Sequence, residues 1–370
     1  MARIFFMPLE TVSRDLEYKR FLFEKISKEK DLFIFARPWV LAKLSSFFSK
    51  INWIGQNCFE ISRITKKSAK QNLRNKKGVL FYIDEEGGFY PKNRSVEILE
   101  KRYGAKDLDE SDLIYCWGDK QKQILKNIKL NASSIGHPRF RPKNLNLKID
   151  SKENILIMTN MSLFLSSKNF AHQYASEEIY NERLYEDSLE YFKLLLSFIK
   201  NSKNKKTIFI RTHPSEDREL YNNIFKNLKN VSILPRESLE KSLSRCEEVF
   251  HFNCTTALDA YCFGIKNKNL AEGSFTILED LTHGENLLSD WLIFPPKIDK
   301  LVDDIEKFSA EEQLSLFKKN MIFVFALCFE ILFRIKSFFM SDNYQKEKFG
   351  LFKSSKKGFF ILSMEFFNVK

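Results

Sequence analysis

The sequence predicts an α/β fold: two Rossmann-like lobes facing a cleft, followed by a helical C-terminal extension. Three observations predict it. Short apolar runs alternate with amphipathic stretches through the first part of the chain. The alternation pauses at a polar segment without helical periodicity, residues 141–152, and then restarts with the same rhythm. Strands alternating with helices build a parallel sheet covered on both faces. At 370 residues the chain has the length for two such cores.

The elements follow in order. Residues 3–7 read as a strand, and residues 15–28 as a helix with Leu16, Phe21, Leu22 and Ile26 inward. Residues 32–35 form a second strand, followed by a helix that Pro38 opens at its first turn. Residues 53–55 read as a short strand, 61–73 as a basic helix, and 79–83 as a strand running into Asp84-Glu85-Glu86-Gly87-Gly88. A strand at 113–116 and a helix at 119–127 lead to Ser133-Ser134-Ile135-Gly136, which closes the lobe. After the linker come strands at 154–158, 207–210, 231–234 and 249–252. Helices are expected at 177–199, 216–227, 239–244 and 255–263, the last ended by Gly264. The expected domains are an acceptor lobe at 1–143, a donor lobe at 152–300 and the helical extension at 301–370.

The chain carries 60 basic and 48 acidic side chains, a net charge of +12. That excess suits anionic partners in general. Its Lys, Asn, Ile and Phe are enriched together, as in an AT-rich genome, and no aromatic-basic interleaving suggests base stacking. Nucleic acid is therefore not an expected partner. The six cysteines show neither CxxC pairs nor zinc spacing, so free thiols in a reducing cytoplasm are expected, with no metal and no cofactor. The N-terminal residues lack the apolar core of a secretion signal. Residues 321–333 are strongly apolar and flanked by Lys and Arg; they read as a packing helix, with peripheral contact at the inner membrane as the other reading.

Three polar motifs each follow an expected strand, where an α/β site must lie. Glu85 and Glu86 sit where a general base could face an acceptor hydroxyl, beside glycines that allow close backbone approach; a charged turn is the alternative. In Arg211-Thr212-His213-Pro214-Ser215-Glu216, Pro214 disfavours helix at His213. The imidazole can then serve a phosphate oxygen, with Arg211 adding a bidentate contact. The alternative is a helix start capped by Ser215. Thr255 and Thr256 open a helix, where hydroxyls and free N–H groups favour an anion; a plain N-cap satisfies the same pattern. Asn160 and Ser162, after the second lobe's first strand, complete the candidate nucleotide site. His172, His251 and His283 read as satisfied structural histidines.

These motifs resemble those of the bacterial surface-carbohydrate biosynthesis proteins, GT-B-like glycosyltransferases related to Kdo transferases and sialyl- and polysialyltransferases. The resemblance rests on Asp84-Glu85-Glu86-Gly87, Tyr115-Cys116-Trp117-Gly118, Gly136-His137-Pro138-Arg139-Phe140, Arg211-Thr212-His213-Pro214 and Cys254-Thr255-Thr256-Ala257-Leu258-Asp259-Ala260. It implies a base within Glu85-Glu86-Gly87, cytidine monophosphate binding by His213-Pro214, and phosphate contacts from Thr255-Thr256. The implied donor is a CMP-activated acidic sugar such as Kdo or a sialic-acid-like nonulosonate. The implied acceptor is a surface polysaccharide or glycolipid. A teichoic-acid-type polyol-phosphate transferase, a sugar-nucleotide epimerase and a non-catalytic scaffold of a glycan assembly complex are the competing readings.

Overall fold

The structure, a computed structural model, describes residues 2–9, 12–28, 31–59, 68–75, 77–85, 95–104, 107–143, 154–161, 178–202, 206–213, 216–235, 237–271, 290–312, 346–354 and 358–366. They group into two compact units. One is drawn from Met1–Gly88, Val96–Arg139 and Asp290–Lys370, the other mainly from Phe140–Ser289.

The first unit begins with β1 (Ala2–Pro8), α1 (Val12–Ile26), β2 (Leu32–Ala36), α2 (Pro38–Leu44), β3 (Asn52–Ile54) and α3 (Ala69–Asn75). It continues with β4 (Val79–Ile83), α4 (Ser95–Gly104), β5 (Leu113–Cys116), α5 (Asp119–Asn127) and β6 (Ala132–Ser134). The parallel strands lie in the order β2-β1-β3-β4-β5-β6. All seven residues of β1 are buried, as a central strand covered on both faces requires, which is why it reads as an apolar run from Ile4 to Met7. Phe5, Met7, Phe33, Phe35, Phe81 and Ile83 pack against Tyr18, Leu22 and Ile26 of α1. The chain reverses direction across the sheet between β1 and β3, so the switch point lies at their carboxyl ends.

The second unit runs β7 (Ile155–Met158), α6 (Glu178–Asn201), β8 (Ile208–Arg211), α7 (Arg218–Phe225), β9 (Val231–Ile233), α8 (Leu239–Leu243), β10 (Glu248–His251), α9 (Thr256–Cys262) and β11 (Lys266–Asn269). Its sheet is parallel throughout in the order β11-β10-β7-β8-β9, with a switch point between β7 and β10. One face packs Ile155, Ile157, Ile208 and Ile210 under α6 and α7. The other sets Leu156, Met158 and Val249 against Leu243 and Ala260.

The chain then rejoins the first unit. Gly118 and Gly136 are the seats for this return. A Cβ on Gly118 would collide with the main chain of Asp290 and Trp291, and one on Gly136 with the carbonyl of Ile293. Gly136 also has φ +76°, where a side chain is strained. The returning strap is tied by main-chain bonds from Lys120 to Asp290 (2.7 Å), Ile293 to Trp117 (2.8 Å) and Lys297 to Ile135 (2.7 Å). Helix α10 (Ile298–Phe308) then packs Leu301 and Ile305 into the first core, and β12 (Glu311–Glu312) pairs antiparallel with β1.

The helical reading of 301–370 is corrected by the last segments. β13 (Lys346–Ser354) and β14 (Gly358–Phe366) form an antiparallel pair, and β14 lies parallel to β2, extending the sheet. The run Phe359-Phe360-Ile361-Leu362 is the aromatic and branched type that suits a pleated surface. Residues 321–333 lie outside the described residues. Among the described residues no helix is long and apolar enough to cross a membrane.

Candidate functional site

In the first unit the switch point is occupied by a buried ionic cluster. Glu85 follows β4, and its side chain is only 2% exposed. Its Oε1 lies 2.6 Å from Nζ of Lys19, a residue of α1 that is itself fully buried. The Tyr18 hydroxyl donates to the same oxygen, and Lys19 also donates to the Pro8 carbonyl at the end of β1. The Gln56 side-chain oxygen accepts from the Glu85 N–H at 3.4 Å. Gly55, at φ +126°, allows the approach: a Cβ there would stand 2.9 Å from Glu85 Oε1. Glu85 Oε2 is buried without a hydrogen-bond partner among the described residues. Burial pushes the Glu85 carboxyl above its usual range, against the pull of Lys19.

Two neighbouring motifs serve this cluster. Asp84 is fully buried and structural: Arg102 pairs with it at 2.6 Å, the Tyr103 hydroxyl donates at 2.6 Å, and Gln121 donates as well. Trp117 donates its indole N–H to the Asp84 carbonyl at 2.6 Å. His137 packs edge-on against Tyr18, with ring centroids 5.0 Å apart, and accepts the Arg139 N–H at Nδ1. Glu86, Gly87 and Gly88 lie outside the described residues.

In the second unit, three segments separated in sequence lie at the carboxyl edge of one sheet. Thr159 and Asn160 follow β7, Thr212 and His213 follow β8, and Asn253 to Thr256 follow β10. Asn160 spans the switch point, donating to the Phe252 carbonyl at 3.4 Å. Thr255 and Thr256 are half-buried, as is His213. Thr255 stands at the N-cap position of α9 but in helical geometry, φ −60° and ψ −19°, and its hydroxyl makes no capping bond. The Thr256 hydroxyl contacts Cys254 Sγ at 3.0 Å. The alternative reading, a plain N-cap bond, is not made by Thr255: the main chain turns into helix too early for that geometry.

Arg211 takes a different direction from the one expected. Its Nη1 donates to the Glu237 carbonyl and to Ser242 Oγ, both at 2.9 Å, so the guanidinium ties β8 to the start of α8. Burial lowers its pKa, against the favourable charge of Glu237. The helix after His213 is capped by Asp217, which accepts from the Glu219 N–H at 2.9 Å, rather than by Ser215. Ser215, Pro214 and Ser162 lie outside the described residues, as do His172 and His283. His251 is buried, and among the described residues neither ring nitrogen makes a hydrogen bond of good geometry. Burial lowers its pKa to about 4, with Asn267 pulling the other way.

Sequence reasoning missed Lys19, Tyr18 and Gln56. Lys19, three residues from both Leu16 and Leu22 on the inward face of an amphipathic helix, was the available signal for the first. It also treated Glu216 as a helix starter, although Glu216 is buried among the loop ends. Among the described residues no group of three or more His, Cys, Asp or Glu side chains is placed to hold a metal ion.

Fold and site together define a chain of two α/β units, each with a core of parallel strands whose polar residues collect at the carboxyl edge of its switch point. No family model matches the chain, and no curated protein does. A solved structure, the pneumococcal O-GlcNAc transferase GtfA in complex with UDP and GlcNAc, is similar over 80% of this chain and 51% of its own. The identity is 12% and the TM-score 0.36, and this chain spans about half the length of that one.

Proposed function

We propose that the chain is a glycosyltransferase that moves a sugar from a nucleotide-activated donor to a glycan or glycolipid acceptor. A CMP-activated acidic sugar is the proposed donor. The observation that carries the reading is that Asn160, His213, Thr255 and Thr256 all follow strands at the carboxyl edge of the second sheet, astride its switch point. Open α/β sheets bind ligands there, and this set of hydroxyls, an amide and an imidazole suits a nucleotide phosphate.

In this reading Glu85 or Glu86 accepts the proton of the acceptor hydroxyl as its oxygen bonds to the sugar's anomeric carbon. The bond from that carbon to the donor phosphate breaks, and His213 with the Thr255 and Thr256 hydroxyls takes up the charge on the departing nucleotide. Burial already lifts the Glu85 carboxyl towards the range that suits a general base. The net charge of +12 favours an anionic donor.

The test is a thermal-shift comparison of CMP, CDP, UDP and GDP on the full chain and on H213A. A nucleotide held at 100 times its Kd stabilises the folded state by about 2.7 kcal/mol. Stabilisation by CMP, much reduced in H213A, is the expected result. A response to UDP or GDP alone replaces the donor class, and a response to CDP alone favours polyol-phosphate transfer. Silence towards all four overturns the transferase reading.

A further inference from the structure

At the carboxyl edge of the second sheet, one buried carboxylate gathers four donors. Glu216 Oε1 accepts the Met161 N–H. Its Oε2 accepts the Thr159 hydroxyl, the His213 N–H at 3.0 Å and the Tyr221 hydroxyl at 3.0 Å. Thr159 closes the knot by accepting from the same His213 N–H at 3.2 Å, while its own N–H donates to the Arg211 carbonyl at 3.1 Å. Glu216 is 1% exposed and Tyr221, which comes from α7, is fully buried. A carboxylate offers about four lone-pair positions, so this one is saturated.

A helix starter does not need that arrangement, because Asp217 already caps α7. What the four bonds share is their address: the segment after β7, the segment after β8, and the helix that follows. They fix the main chain of His213, from which the imidazole projects. We propose that Glu216 is the positioning residue of this edge, setting where the His213 imidazole meets the phosphate of a bound nucleotide. The inference rests on the phosphate-binding reading of His213. Glu216 itself touches no ligand in this scheme and acts through its neighbour.

The two oxygens do different work, and that gives a graded test. In E216Q the amide oxygen can keep the three donors of Oε2, leaving the new NH2 facing the Met161 N–H. In E216A all four bonds are lost. Hydrogen exchange on the ligand-free chain should therefore quicken at Met161 alone in E216Q, and at both Met161 and His213 in E216A. An unchanged His213 amide in E216A overturns the positioning role, whatever the protein binds.

CMP affinity, measured by calorimetry, supplies the second readout. E216A is expected to weaken it roughly tenfold or more, as loss of a hydrogen bond to a charged group does. E216A/H213A should then be no worse than H213A, within roughly twofold, because residues acting as one unit are not additive. Losses that multiply in the double variant overturn the proposal. If E216A does not fold, Thr159→Val keeps the size, removes the hydroxyl of the knot and carries the same cycle with H213A. If the wild-type chain binds no nucleotide, the transferase reading fails by itself, and the exchange pattern alone decides whether Glu216 holds His213.

Discussion

Replacing Lys19 by methionine removes the positive partner of a buried carboxylate and leaves it facing the negative charge of Asp15, which already raises its pKa. Lys19 and Glu85 stand 2.6 Å apart, with side chains 0% and 2% exposed. Breaking such a pair from one side costs about 3–5 kcal/mol, because the remaining charge stays buried and unpaired. The carboxylate can escape part of this cost by protonating. Burial already raises its pKa, and Lys19 is the strongest influence holding it down. Losing Lys19 drives that pKa higher, so the folded state binds a proton more tightly than the unfolded chain. Stability is then retained at low pH and lost as pH rises from the ordinary value of 4.5 through the folded value. The K19M deficit should therefore be larger at pH 8 than at pH 5. Tryptophan fluorescence is the assay, since Trp39, Trp53, Trp117 and Trp291 all belong to the first unit and report it selectively. Urea unfolding at both pH values gives the difference, and K19M/E85L, which replaces the pair by apolar groups, should recover much of it. A K19M deficit under about 1 kcal/mol, or one independent of pH, refutes the reasoning.

Three further outcomes follow from the geometry. Gly136→Ala should cost at least about 2 kcal/mol, because the residue has φ +76° and its new methyl meets the Ile293 carbonyl; Gly104→Ala, with nothing within 4 Å, is the neutral control in the same fluorescence melt. His251, with its pKa lowered from 6.5 to about 4, binds fewer protons folded than unfolded, so it contributes stability above pH 6.5 that is lost as pH falls towards 4. The window is worth about 3 kcal/mol, and denaturant melts of H251L should show a flatter acid limb than the wild type; an unchanged slope refutes the assignment. In a transfer assay, whichever of E85Q and E86Q removes the base should lower kcat about 10²–10⁴-fold. E85Q is also expected to lower the melting temperature of the first unit, so a stable, fully active E85Q would leave Glu86 as the base.

The fold was largely legible because buried parallel strands announce themselves. The runs at β1, β4 and β5 are apolar on both faces, and Pro38 and Gly264 mark a helix start and a helix end as expected. What escaped was structure with no such pattern. β11 is Lys266-Asn267-Lys268-Asn269, an edge strand that buries little beyond Asn267, so only its neighbour β10 specifies it. The return of residues 290–297 to the first unit depends on contacts far apart in sequence. Its trace was the pair Gly118 and Gly136, read beforehand only as parts of motifs. The candidate site was legible as motif positions after strands, but not as side-chain directions. Nothing in Arg211-Thr212-His213 says that the arginine turns towards Glu237 and Ser242, because those partners lie 26 and 31 residues onward.

The two sheets differ in strand order, yet each sets a buried carboxylate at the carboxyl ends of its strands, and the wiring of the two is unlike. Glu85 is held by one full charge and one hydroxyl, with an oxygen left over. Among the described residues Glu216 is held by four neutral donors and no charge. A charge partner fails as a step, since its loss strands an anion, whereas neutral donors can be withdrawn one at a time. Tyr221→Phe removes one of four bonds and should cost about 1–2 kcal/mol, well short of the deficit expected for K19M. Burial pushes both carboxyls above their usual range, but only Glu85 has an opposing charge to lose. Tyr221→Phe melts should accordingly show little of the pH dependence that marks K19M. A Tyr221→Phe deficit as large and as pH-dependent as that of K19M would mean that Glu216 carries an uncompensated charge the four donors do not satisfy.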